Sequence, residues 1–172
     1  EELDRFYFVF SRNMRDLGVP VWGMDFFASI LARFPDHAKF VFVEKDGDPV
    51  GAALLIAHKN VALVPSASSL RAWFRSCPNH LLYWEAFQEA HRMGTDTFDF
   101  GRSSPDSGTH RFKKQWGCEE VPCYWHYDLL KIDVPPQRNT ASPKLRLAVE
   151  TWKRLPLAIT NRLGPILVRR IP

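Results

Sequence analysis

Between Phe40 and Pro65 the chain alternates strand-forming runs with tight-turn chemistry, and this pattern constrains the fold more than any other feature. Phe40–Glu44 and Val50–His58 are β-rich, and Asp46-Gly47-Asp48-Pro49 between them is a strong turn signal. Lys59-Asn60 then turns the chain into Val61–Pro65. Runs joined this tightly pair antiparallel, so the segment predicts a three-stranded meander.

Helices are expected on both sides of it. Leu3, Phe6, Phe10, Met14 and Leu17 recur at three- and four-residue spacing, which describes one helix face, and Gly18 and Pro20 supply the stop. A second helix starts near Met24-Asp25 and ends before Pro35. A third runs from Asn79 to Met93, with Leu82, Ala86, Phe87 and Ala90 on one face and Gly94 closing it. Residues 97–101, TFDFG, read as a short buried strand. A loop and a short helix from Gly108 to Trp116 follow, and 123–130 reads as a final alternating strand. The order predicts an α+β fold with a largely antiparallel sheet.

The length suits one domain with a real core. At 45% hydrophobic and 24% charged residues, the chain is neither disordered nor coiled-coil. No run approaches the roughly 18 apolar residues of a membrane span, and the first residues carry no signal-peptide pattern. The start without Met predicts a piece of a longer protein. Cys77, Cys118 and Cys123 are an odd count without a CxxC, so a cytoplasmic location is expected. The boundaries read as one domain over 1–130, a Pro-rich linker over 131–143 and a basic amphipathic helical tail over 144–172, interrupted by Pro156 and Pro165. Residues 131–172 are net +7 and residues 1–130 net −3. A basic tail on a slightly acidic body suits an anionic surface such as a membrane, nucleic acid or partner. A solvated helix with scattered arginines is the other reading.

Residues 98–117, FDFGRSSPDSGTHRFKKQWG, concentrate the chemistry. Asp99 and Gly101 lie at the C-terminal end of the short strand, a usual place for ligands. Gly101 and Gly108 allow close backbone approach. Ser103, Ser104, Ser107 and Thr109 supply hydroxyls and helix-start amides. Arg102, Arg111, Lys113 and Lys114 against Asp106 make 101–114 net +3. Phe112 and Trp116, four apart, should bury together, leaving Lys113 presented on another face. The sum is a pocket for a phosphate or another anion, or else a solvated basic loop anchored by two aromatics.

The same stretch resembles the signature of FemAB-type proteins, in particular the FemAB-related branch associated with exopolysaccharide and exosortase systems. Residues 12–23, 46–60, 65–94 and 152–172 extend the resemblance along nearly the whole chain. It implies a GNAT-like (acyl-CoA N-acyltransferase) fold, with a mixed sheet splayed near its middle and helices on both faces. FemAB-type enzymes typically hold two such domains, so the resemblance implies that this is the second and that an N-terminal GNAT-like domain partners it. In the cell-wall members an amino acid passes from aminoacyl-tRNA to an amine of a peptidoglycan precursor. A lysine of the FK motif stabilises the developing charge, and Lys113 matches it. No Q/RxxGxG/A pyrophosphate segment is present, so no motif supports an acyl-CoA donor.

Other groupings carry less. Asp96 and Asp99 face opposite sides of a strand and cannot form a dyad. Asp99 suits either a general base or a structural hydrogen bond to the loop. Cys118 and Cys123 read as buried small hydrophobes, and the six histidines lack metal-ligand spacing, so no metal is expected. Tyr83-Trp84 and Tyr124-Trp125 line an acceptor groove or belong to the core edge.

The leading expectation is an N-acyltransferase moving an aminoacyl or acyl group to an amine of a cell-envelope precursor, related to peptidoglycan or exopolysaccharide. Lys113 and Asp99 are its candidate catalytic residues. Gly101, Arg102, Ser103, Ser104, Gly108, Thr109, Arg111, Lys114, Tyr83 and Trp84 are candidates for substrate binding. The donor is aminoacyl-tRNA or acyl-CoA, and no tightly bound cofactor is expected. Residues 144–172 are expected to offer peripheral contact with an anionic membrane at its inner face. The rival expectation is a non-catalytic GNAT-like domain that binds an anionic polymer or lipid-linked glycan.

Overall fold

The computed structural model describes residues 1–130 and 142–169. Most of the expected linker, residues 131–141, and the last three residues of the tail lie outside the described residues. Helices α1 (Glu2–Leu17) and α2 (Met24–Arg33) precede strands β1 (Ala38–Lys45), β2 (Asp48–His58) and β3 (Val61–Ser69). A 3-10 turn (Arg71–Ser76), helix α3 (Pro78–Arg92), strand β4 (Thr97–Asp99) and helix α4 (Gly108–Lys114) follow. Helices α5 (Pro143–Arg154) and α6 (Leu157–Val168) complete the described chain.

The sheet order is β1-β2-β3-β4. The first three strands form the antiparallel meander, and Asp46, Gly47 and Lys59 at its turns all take positive φ, as tight hairpins demand. β4 joins parallel to β3, with Val61 opposite Thr97 and Leu63 opposite Asp99. The intervening α3 is the crossover that a parallel pair requires.

Both faces of the sheet are covered, because successive strand residues point opposite ways. Ala52 and Leu54 of β2 join Phe6, Val9, Phe10, Val21 and Phe27 under α1 and α2. Ala53 and Leu55 join Leu82, Ala86 and Ala90 of α3 on the other side. Phe6 is fully buried, stacked on Phe40 at 4.3 Å and edge-on to Phe27 at 4.9 Å. A side chain buried to this degree contributes about 1.5–3 kcal/mol. α1 ends at Gly18, whose left-handed conformation returns its N–H to Arg15 O.

Helices α5 and α6 lie on α1 and on the 18–23 connection. Trp152 of α5 is buried, and Gly164 of α6 presses so closely that a Cβ there would stand 2.8 Å from Val21 N. No described helix is long and apolar enough to cross a membrane.

Four expectations need correction. Residues 123–130 form no strand; Tyr124, Trp125 and Leu130 are largely exposed. Alternation marks a face that can be buried, but a strand also needs an edge with enough register to pair, and β4 spans only three residues. β4 itself is not buried: it is an edge strand with Thr97 and Asp99 exposed and Phe98 half-buried. β3 continues four residues beyond Pro65. Pro156 ends α5, but Pro165 lies inside α6, where the preceding Gly164 has no Cβ to clash with its ring.

Candidate active site

The short helix α4 is held by rings. Phe112 and Trp116 pack against α3 and β4: Tyr83 to Phe112 is 5.1 Å, Phe87 to Trp116 4.9 Å and Phe87 to Phe98 4.6 Å between centroids. Tyr83 also stacks on Phe100 at 5.7 Å. Edge-to-face pairs at these distances add about 0.5–1.5 kcal/mol each beyond area burial. Ser107 caps α4, its Oγ accepting the His110 N–H at 3.1 Å. Phe112 and Trp116 therefore pack together, 6.3 Å apart, as their spacing predicts, but both are half-buried rather than buried.

Anchored this way, Lys113 is half-buried and reaches back to the end of β4. Its Nζ donates to Gly101 O and Arg102 O, each at 3.1 Å. Asp99 Oδ1 accepts the Gly101 N–H at 2.7 Å, closing the turn in which Gly101 adopts φ +65°. A Cβ at Gly101 would meet nothing within 4 Å, so glycine is required there for conformation rather than for space. Burial lowers the Lys113 pKa, while the Asp99 carboxylate and the Cys118 thiol pull it back up. An ammonium has three donors, and the two carbonyls engage two of them. The third remains for an oxygen brought to the strand end.

The other basic residues of the stretch have different roles. Lys114 Nζ pairs with Glu120 Oε1 at 2.7 Å, and His110 Nε2 meets Glu120 Oε2 at 2.9 Å. These partners hold the Glu120 carboxyl below the usual carboxylate range, Lys114 more strongly than His110. His110 Nδ1 accepts the Asp106 N–H at 3.1 Å, so Nε2 faces Glu120 as the donor. Arg111 Nη1 donates to Asp106 O at 2.9 Å, which closes the loop over the start of α4. Thr109 Oγ1 and Ser107 Oγ are 3.1 Å apart, and Gly108 and Ser104 are exposed. Ser103 Oγ is buried without a partner among the described residues. The Arg102 guanidinium lies 5.1 Å over the Trp125 ring.

The structure thus brings Asp99, Gly101, Arg102 and Lys113 together. It does not bring Trp84 with them: that indole is 54% exposed, while neighbouring Tyr83 lies in the aromatic cluster, where burial pushes its phenol up. Cys118 is half-buried and Cys123 exposed, against the expectation that both are buried. Residues 119–123 are exposed, and Glu120 among them meets Lys114 and His110 of α4.

Several polar contacts that sequence reasoning missed lie around the β3–α3 end of the sheet. β3 runs on from Val64 to Ser69 past its last pairing with β4, which ends at Asp99. Ser69 Oγ donates to Asn79 Oδ1 at 2.5 Å, and Asn13 Nδ2 donates to Ser68 Oγ at 3.2 Å. His80 stands edge-on to Phe112 at 5.1 Å and reaches Gln115 Oε1 at 3.2 Å. Phe74, Cys77, Pro78, Asn79, His80 and Phe112 line a cleft of about 250 Å³. The serine run 66–69 and the Pro-Asn start of α3 were the available signals. No group of three or more His, Cys, Asp or Glu among the described residues is arranged to hold a metal.

Comparison with known proteins identifies the family and the fold. Residues 1–114 match the family model for an acetyltransferase (GNAT) domain. Among solved structures, the aminoglycoside 6'-N-acetyltransferase AAC(6')-IG from Acinetobacter haemolyticus superposes with a TM-score of 0.55 at 15% identity, over 77% of this chain and 94% of that one. AAC(6')-Iy, in complex with the bisubstrate analog CoA-S-monomethyl-acetylneamine, gives 0.57 at 15% identity, over 76% and 92%. An aminoglycoside acetyltransferase from an uncultured soil metagenomic sample, in complex with sisomicin, gives 0.57 at 12% identity, over 75% and 89%. At such identities these likenesses carry the fold alone. No curated protein matches the chain.

Proposed function

The chain belongs to the acetyltransferase (GNAT) domain family, and from that premise we propose that it is an N-acyltransferase of the FemAB type acting on an amine of a cell-envelope precursor. The observation that carries this reading is the Lys113 ammonium, fixed by two carbonyls at the end of β4 with a donor to spare. Attack of an amine on an ester or thioester carbonyl forms the C–N bond and puts negative charge on the carbonyl oxygen. A prepositioned cation stabilises that charge without reorganising. As the tetrahedral species collapses, the C–O or C–S bond breaks and the amine's proton passes to the leaving group. Asp99 Oδ1 is committed to Gly101, so proton removal falls to its second oxygen or to a substrate phosphate.

Two donor classes compete. The structural neighbour solved with a CoA bisubstrate analog favours acyl-CoA. The turn before α3 favours an aminoacyl ester: Cys77 is left-handed, Pro78 has no N–H, and the His80 N–H is taken by Cys77 O. Few free amides remain there to cradle a pyrophosphate.

Titrating the chain with charged tRNA and with a short acyl-CoA series, Lys113→Ala in parallel, decides between them. Saturable binding of one class, with turnover on an amine acceptor lost in Lys113→Ala while donor affinity holds, supports the reading. The second reading, a binding module, draws on the same two carbonyl bonds, which would suffice for a purely structural lysine. It expects Lys113→Ala to weaken binding of an anionic polymer with no turnover to lose.

A further inference from the structure

We propose that the outer face of α6 is a docking surface for an anionic lipid membrane. Ile159, Leu163, Ile166 and Leu167 recur at spacings of four, three and one, which places them on one side of the helix. Each is 41–56% exposed. Thr160 and Gly164 are buried and border the stripe on the edge away from Arg162, so α6 is fastened beside the stripe and the stripe itself is left to solvent. A globular protein gains nothing from a second apolar stripe turned to water.

The charge around the stripe names the occupant. Residues 151–172 contain five Lys or Arg and no Asp or Glu. Arg162 and Arg169 are exposed and lie on one flank of the stripe. On that flank Trp22 and Phe26 stack at 4.9 Å and border a groove of about 270 Å³ with Pro165 and Arg169. Asp25 is the one acidic residue lining that groove. A second copy meeting this face by two-fold symmetry would set arginines against arginines, whereas anionic headgroups neutralise them. At twelve residues, about 18 Å, α6 is too short to span a bilayer and would lie in its plane. Amphipathic interfacial helices use this combination of apolar stripe, basic flank and boundary tryptophan. The inference rests on Trp22, α2 and α6 and is independent of the acyl-transfer reading.

The test is co-flotation of the whole chain with vesicles of phosphatidylcholine, with and without phosphatidylglycerol. Binding is expected on the anionic vesicles only, and it should weaken as salt rises from about 0.1 M to about 1 M. Ile166→Asp should abolish it. Arg162→Gln and Arg169→Gln should each lower the partition coefficient about fivefold. Circular dichroism checks that each variant is folded; should Ile166→Asp fail to fold, the two arginine variants, changed only at exposed side chains, still decide. Absence of anionic-vesicle binding, equal binding to neutral vesicles, or binding indifferent to these substitutions overturns the proposal. So does a dimer in sedimentation equilibrium that Ile166→Asp dissociates, since the face would then belong to a second copy.

Discussion

Lys113 and Gly101 are joined across twelve residues of chain by a 3.1 Å hydrogen bond from ammonium to carbonyl. The bond ties the end of the edge strand to the only helix that follows it within the family-matched region. It also fixes the cation beside the end of β4, where β3 runs on beyond its pairing with that strand. One side chain therefore closes a loop and offers charge to whatever enters, and the two roles separate under mutation.

Lys113→Ala should lower kcat by about 10²–10³ on a competent donor and acceptor pair, the range for removing one oxyanion-stabilising donor. Donor affinity should change much less. Lys113→Arg keeps the charge but not the compact geometry and should recover only part of the rate. Full turnover in Lys113→Ala would sink the electrostatic role.

The lowered pKa of Lys113 has a pH signature. Its ammonium deprotonates before an ordinary lysine does, so kcat/KM should fall on the alkaline side below the usual range near 10.4. Lys113→Arg should move that limb upward. Stability runs the other way: between the folded and unfolded pKa values the unfolded chain binds more protons, so this group makes the fold more stable as pH rises through that window. Parallel pH–rate and pH–melting profiles read both signs.

Phe87→Ala tests how α4 is held. The ring contacts Phe98, Phe100 and Trp116 and is half-buried, so its removal should cost about 2–3 kcal/mol, somewhat under the range for a fully buried Phe. Because α4 carries Lys113, the folded fraction should also lose activity. Chemical denaturation alongside turnover per folded molecule separates the two.

Much of this frame was legible in the chain. The meander was readable because Asp46, Gly47 and Lys59 are turn residues acting locally, and Phe112–Trp116 because four-residue spacing is a property of one helix. The Lys113 clip was not, since it depends on where the strand end falls relative to α4. Nor was the Ser69–Asn79 pair, which joins two elements across a turn of unforeseen 3-10 conformation. Residues 123–130 show the opposite failure: the alternation is real, but pattern alone cannot supply a sheet edge to receive it.

Glu89 joins β1 to α3, accepting from Lys39 at 2.6 Å and from Arg92 at 2.8 Å. These cations hold its carboxyl below the usual range, Lys39 foremost. A depressed folded pKa contributes stability above the unfolded value and loses it as pH falls through the folded one. Glu89→Gln should therefore destabilise the protein at neutral pH by up to about 1 kcal/mol, given that Lys39 is half-exposed. The gap between wild type and variant should close in acid. A gap that persists in acid would assign the effect to packing.

Gly164 sets how closely α6 lies on the rest of the protein. A Cβ there would stand 2.8 Å from both Val21 N and Val21 Cγ2 and 3.0 Å from Val21 O, and backbone cannot give way cheaply. Two effects oppose each other in Gly164→Ala. Helix propensity favours Ala by about 1 kcal/mol. Overpacking costs about 1–3 kcal/mol, and a Cβ before Pro165 disfavours the helical conformation further. The second effect should win, with a net loss of about 1–2 kcal/mol and a fall in Tm of about 2–8 °C. Gly164→Leu should lose more, because its branched side chain cannot fit against Val21 at all. Since the Lys113 clip lies on β4 and α4, turnover per folded molecule should stay at the wild-type level. A rise in Tm for Gly164→Ala would mean that α6 does not press on Val21 in solution.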